Sequence, residues 1–156
     1  MTAPDIHNRL QTLFPEITLG FDEQVPCIIV PADAIRDVAL QLRDDPALLM
    51  DTLMCLSGVD NNDGTLGVVY HLDSVALKHK CTLKVIVPVD NPVLQSVERV
   101  WRSADWHERE AFDLVGMRFE GHRDHRRILL PDDWEGHPLR KNYEVPEFYN
   151  GMKVPY

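Results

Sequence analysis

The chain predicts an α+β fold of two layers, a small mixed sheet with helices packed mainly on one face, followed by an extended C-terminal tail. Three observations carry this expectation. Helical and strand-like stretches follow one another as helix, strand, helices, strands, helices, without the regular alternation that builds parallel βαβ units. No Gly-rich loop follows a strand, so a doubly wound nucleotide-binding sheet is disfavoured. The 156 residues, 44% apolar and 26% charged, suit a single domain that needs neither disulfide nor metal to fold.

In chain order, Ile6, Leu10, Leu13 and Phe14 line one side of a short helix from Asp5 to Phe14, ended by Pro15. Val25 to Val30 is apolar and β-rich, and Pro26 puts it at a strand start or a sheet edge. Ile35, Val38, Ala39 and Leu42 recur at the spacing of a helix with one buried stripe. Asp45-Pro46 is a helix-start signal, and Leu49, Leu53 and Leu56 continue it on one face to Gly58. After the turn cluster Asn61 to Gly64, two strands are expected over Leu66 to Leu72 and Cys81 to Val87, the second alternating core and solvent. Asn91-Pro92 repeats the helix-start signal ahead of Val93, Val97, Val100 and Trp101. Asp105 and Glu108 have the spacing of a capping box, which predicts a helix over Trp106 to Val115 with Gly116 as its left-handed stop. Met117 to Phe119 alternates like a strand, and Gly121-His122 reads as a turn. Residues 1–141 are expected to form the domain. Residues 142–156, with Tyr143, Phe148, Tyr149 and Tyr156, form a tail whose aromatic residues need something to dock on.

Charge is unevenly distributed. The net charge of −9 and pI near 5.1 argue against nucleic-acid and anionic-membrane surfaces, which need clustered positive charge. Glu98 to Lys141 is nearly balanced, with nine basic and ten acidic residues, and His107, His122, His125 and His137 lie within it. On the expected helix, Arg109, Glu110 and Asp113 converge on one face. The guanidinium groups of Arg126, Arg127 and Arg140 suit bridging carboxylates across an interface. There is no run approaching 18 apolar residues and no apolar signal core, so neither a membrane-spanning nor a secretory segment is expected.

Cys27, Cys55 and Cys81 are isolated, with no C-x-x-C spacing, which excludes a four-cysteine cluster from this chain alone and reads as buried thiols in a reducing compartment. His107-Glu108 begins like H-E-x-x-H, but the second position is Ala111. His122, His125 and His137 with Asp132 leave a stand-alone metal-dependent hydrolase as an alternative, and a free-standing small-ligand binding module is a third reading. Ser103 lies in no nucleophile-elbow context.

Glu108-Arg109-Glu110, Asp113, Gly116, Phe119, Gly121-His122, Arg126-Arg127-Ile128 and Gly136-His137-Pro138-Leu139-Arg140-Lys141 closely resemble the signature of the 30-kilodalton subunit of respiratory complex I. The bacterial form of that complex is NADH-quinone oxidoreductase. Val59-Asp60, Val69 to Leu72 and Pro88 to Trp101 extend the similarity over most of the chain. Arg123 and His125 stand where the family usually has Pro and Leu, and Asn142 where it commonly has Asp, which bears on turn geometry and local pairing.

The resemblance implies a peripheral-arm subunit with no redox centre, no catalytic residue and no bound cofactor or metal of its own. It would brace the large quinone-site subunit and neighbouring iron–sulfur subunits on the cytoplasmic face of the inner membrane, reaching the membrane only through the complex. NADH, FMN, iron–sulfur clusters and a quinone belong to the assembly, an ion-translocating enzyme. The motif residues are then family and interface residues.

Overall fold

Asp5 reaches back to Thr2, accepting from its N–H at 2.9 Å and its hydroxyl at 2.6 Å, and so fixes where α1 (Ala3–Leu13) begins. In the computed structural model, which describes residues 1–154, there follow β1 (Gly20–Asp22), β2 (Cys27–Ile29), α2 (Ile35–Asp44), β3 (Thr52–Asp60), β4 (Thr65–Ser74) and β5 (His79–Pro88). Next come β6 (Val93–Gln95), α3 (Ala104–Val115) and β7 (Arg118–Glu120), and the short hairpin β8 (Phe148–Tyr149) and β9 (Met152–Lys153).

One five-stranded sheet runs in the order β1-β2-β5-β4-β3, antiparallel except for the parallel pair β2 and β5. The sheet is therefore mixed, as expected. Its register sets Leu56, Tyr70, Leu83 and Ile28 in a single buried row across four strands. Period-two alternation sends Lys84, Ile86 and His71 to the other face, where Ile86 and His71 are exposed. Ile6 and Leu10 of α1, the predicted stripe of α2, and Ala111 and Val115 of α3 complete one core on the first face. α3 comes closest at Gly58, where an added Cβ would lie 3.2 Å from both the Ala111 Cβ and a Val115 methyl.

Two expected helices are corrected. Asp45 does cap, accepting the Ala47 N–H at 2.9 Å and a two-pronged bond from Arg9 at 2.7 and 2.8 Å, but the chain makes only one turn before Leu49 at φ 41° redirects it into β3. The Leu53 and Leu56 spacing that mimicked a helix comes from a bulge between Leu53 and Cys55, which returns both leucines to the core face of a strand. After Asn91-Pro92, Val93–Gln95 pairs in parallel with β7, and Val97, Val100 and Trp101 are buried in turns. The Trp101 indole N–H reaches the Met50 carbonyl at 2.8 Å and locks that turn to the start of β3.

The tail is only partly extended. Its hairpin is tied to the preceding loop by a Tyr149 hydroxyl bond to Asp133 at 2.7 Å, and the stretch before the hairpin by the Trp134 indole, which donates to the Tyr143 hydroxyl at 3.1 Å. Tyr156 lies outside the described residues.

Gly58→Val should push α3 off β3 and cost about 1–3 kcal/mol, as overpacking does, with Gly58→Ala intermediate. Urea unfolding of the three proteins checks the order.

Candidate functional site

The end of α3 is densely hydrogen-bonded. Gly116 takes φ 82° and sends its N–H back to Ala111 and Phe112, as expected of a left-handed stop. The last carbonyls of the helix are then covered by a segment far along the chain. His137 Nδ1 lies 3.0 Å from the Asp113 carbonyl, the Leu139 N–H donates to Leu114 at 2.9 Å, and Arg140 Nε donates to Val115 at 2.7 Å. A Cβ at Gly116 would come within 2.6 Å of the His137 ring and 2.7 Å of the Arg140 guanidinium, so this position has neither the space nor the backbone angle for another residue.

Asp113 is the second fixed point. Its fully buried carboxylate accepts the N–H groups of Ile128 at 3.1 Å, Leu129 at 2.7 Å and Leu130 at 2.9 Å on one oxygen, and Arg127 at 2.7 Å on the other. Burial pushes this carboxyl up, but the Leu130 amide, the Arg127 guanidinium and the other two amides outweigh it and hold the group below the usual carboxylate range. Arg127 also donates to the carbonyls of Asp113, Trp134 and Gly136, and Arg109 to those of Arg126 and Arg127. Arg127 thus spends its donors inside this chain and Arg140 its Nε–H, whereas Arg126 is exposed and, among the described residues, pairs with its neighbour Asp124.

At the other end of α3 the capping box is corrected. Ser103 occupies the N-cap, Asp105 lies in the first turn beside Arg123, and Glu108 turns inward. There Glu108 accepts the Ser96 hydroxyl at 2.6 Å and the Val97 N–H at 2.7 Å, and burial drives its carboxyl up to about 8 against those two bonds. The His122 ring is also buried. It accepts the Asp124 N–H on Nδ1 at 3.0 Å, so its Nε2–H donates to the Asp105 carbonyl at 3.2 Å. Asp105 is held below its usual value chiefly by Arg123. Arg123 also pairs with buried Glu98 at 3.4 Å.

The motif residues therefore divide. Glu108, Arg109, Asp113, Gly116, His122, Arg127, His137 and Arg140 meet around α3, and Phe119 is buried beside them. Glu110, Gly121, Arg126, Gly136, Leu139 and Lys141 are exposed, and Pro138 is half-buried. The expected convergence of Arg109, Glu110 and Asp113 does not form, since Asp113 faces the 127–130 segment and Glu110 faces solvent. Sequence reasoning missed Ser96, Glu98, Trp134 and the Asp60 carboxylate, which accepts the Lys141 N–H at 2.8 Å. Glu98 on the apolar stripe of Val97, Val100 and Trp101 was the one available signal.

The three histidines of the hydrolase alternative each engage main-chain groups at separate points, with His125 accepting the Phe119 N–H at 3.1 Å. Among the described residues, no group of three or more His, Cys, Asp or Glu side chains is arranged to hold a metal ion. Cys27 and Cys81 are buried free thiols, Cys81 pushed up to about 12 by burial, while Cys55 is half-buried on β3. No described helix is long and apolar enough to cross a membrane.

Residues 28–149 match the family model described as respiratory-chain NADH dehydrogenase, 30 Kd subunit. The chain is 55% identical over 125 residues to an NADH-quinone oxidoreductase subunit of Chloroherpeton thalassium, covering 80% of this chain and 52% of that protein. It is 51% identical over 148 residues to the equivalent subunit of Chlorobium phaeobacteroides, covering 92% and 89%. It thus spans about half the length of the first relative and most of the second. In solved structures it resembles a chain of the archaeal membrane-bound sulfane sulfur reductase (TM-score 0.72, 25% identity, 91% and 85% covered). It also resembles a trypsin-resistant fragment of Nqo5 (TM-score 0.57, 25% identity, 74% and 98% covered).

Arg127→Ala leaves Asp113 buried without its cation and should cost about 3–5 kcal/mol. Arg126→Ala should cost less than about 1 kcal/mol, and chemical denaturation separates them. Glu108 holds its proton more tightly folded than unfolded. Its contribution is therefore complete below the ordinary glutamate pKa of about 4.3 and is lost as pH rises through about 8. Glu108→Gln should flatten that decline, which melting curves between about pH 4.5 and 8.5 would reveal.

Proposed function

The chain belongs to the family of the 30-kDa subunit of respiratory-chain NADH dehydrogenase, and from that premise we propose that it is a peripheral-arm subunit of an NADH-quinone oxidoreductase. In this reading it braces the subunits around the quinone site and carries no redox centre of its own. The clasp at the end of α3 carries the proposal. Side chains that a hydrolase would aim at a substrate instead bond main-chain carbonyls: Arg127, His137 and Arg140 bond those at the end of α3, and Arg127 also those of Trp134 and Gly136, which ties the 127–140 segment to the helix. Trp106, Leu129, Leu139, Val145, Phe148 and Met152 expose large apolar side chains along the same part of the chain, as surfaces that bind other proteins do.

The finer assignments rest on the same premise. The assembly is an ion-translocating enzyme using NADH, FMN, iron–sulfur clusters and a quinone, and this subunit has no independent activity. Its partners are chiefly the large quinone-site subunit and neighbouring iron–sulfur subunits, on the cytoplasmic face of the membrane. Residues 1–141 form the folded unit, residues 142–156 are a docking tail, and the exposed motif residues Glu110, Arg126, Leu139 and Lys141 face partners.

Affinity purification of the chain from solubilised native membranes tests this. The expected result is co-purification of the other hydrophilic-arm subunits with NADH-dependent quinone reduction, while the isolated chain is colourless and free of stoichiometric iron, zinc and flavin. A chain that emerges alone, or with one tightly bound zinc, sinks the reading. Phe148→Ser should leave melting of the isolated chain unchanged but lower incorporation roughly tenfold or more, since burying a Phe side chain contributes about 1.5–3 kcal/mol. Quinone reductase activity per assembled complex should be unaltered.

A further inference from the structure

β3 is an edge strand, paired among the described residues only with β4. The Asn61 N–H bond to Thr65 sets the phase of that pairing, so the backbone groups of Ser57 and Val59 point into the ladder and those of Leu56 and Gly58 point out of the sheet. The outer edge is closed at one end by the Ser103 hydroxyl on the Leu53 carbonyl at 3.2 Å, and at the other by the Lys141 N–H on the Asp60 carboxylate at 2.8 Å. Between these ends it opens into a groove of about 240 Å³ under α3, with Ala111, Leu114 and Leu139 as apolar wall and His107 and Glu110 at the rim. Glu110 is exposed and has no ion pair among the described residues.

We propose that this groove receives an extended segment of a partner subunit, added as a sixth strand along β3. Small apolar side chains of that segment face Ala111, Leu114 and Leu139, and a Lys or Arg sits opposite Glu110. The bare N–H and C=O groups of Leu56 and Gly58 are what a strand satisfies, and a groove between an edge strand and a helix is a recurrent seat for one. A second copy of this chain fits poorly, because pairing two β3 edges sets the two Glu110 carboxylates on the shared groove, in a chain already at −9. The chain's own tail turns away, anchored to Trp134 and Asp133. This inference rests on the subunit reading above.

Residue-resolved amide hydrogen exchange on the isolated chain and on the purified native assembly tests it. The Leu56 and Gly58 amides should exchange at least tenfold more slowly in the assembly, while the ladder amides of Ser57 and Val59 are slow in both. Equal exchange of Leu56 and Gly58 in a chain that does assemble overturns the strand and leaves the subunit reading standing. Failure to assemble overturns both. Protection already present in the isolated chain assigns the groove to the tail if it is independent of concentration, or to a second copy if it grows with concentration, and either result overturns the proposal. Glu110→Lys should lower incorporation several-fold with unchanged melting while Glu23→Lys does not, and equal incorporation of the two would refute the basic residue.

Discussion

Everything at one end of this molecule depends on how the last turn of α3 is satisfied. A helix leaves its final carbonyls without internal partners, and here they lie against the core, where bare polar groups are costly. The 137–140 segment supplies three donors, and the carboxylate of Asp113, in the same last turn, gathers three consecutive amides and a guanidinium from 127–130. Neither segment has regular structure of its own. Each takes its shape from the helix it serves, and the helix end is tolerable in the core only because they are there.

The two ends of α3 use acids in opposite senses. Asp113 is ionised because donors surround it, and it organises a loop. Glu108 has two donors for a fully buried carboxyl and is pushed toward its neutral form. Between them Arg109 bonds the carbonyls of Arg126 and Arg127, so the loop is gripped along the whole helix. Arg123 brings a cation to Asp105 and Glu98, and so gives that turn an electrostatic hold.

Much of this was legible in the sequence. The stripe of α2, the alternation of β5, the left-handed stop at Gly116 and the layered fold follow from period and turn chemistry, which act locally. Other features depend on contacts that no local pattern reports. The bulge in β3 gave a strand the spacing of a helix, and the pairing of Val93 with β7 overrode the start signal at Asn91-Pro92. Asp105 and Glu108 had the spacing of a capping box, yet Ser96, Val97 and Arg123 offered both acids better-placed partners. Arg127 and the Arg140 Nε–H also bond within the chain, which their place beside turns did not foretell. Their carbonyl partners at Trp134, Gly136 and Val115 are main-chain atoms, which leave no trace in residue identity.

The bond between the Lys141 amide and Asp60 joins points 81 residues apart, and it sits beside the clasp on α3. A ribosome releases the chain from the other end. The sheet and α3 are made before residues 127–141, which carry the groups that complete the helix end. The nascent domain must therefore hold an unfinished helix terminus until residue 141 clears the exit tunnel, and long-range closure of this kind is slow to form. During that interval the open helix end is a target for chaperones and proteases, and the native state is reached only once residues 127–141 have closed on it.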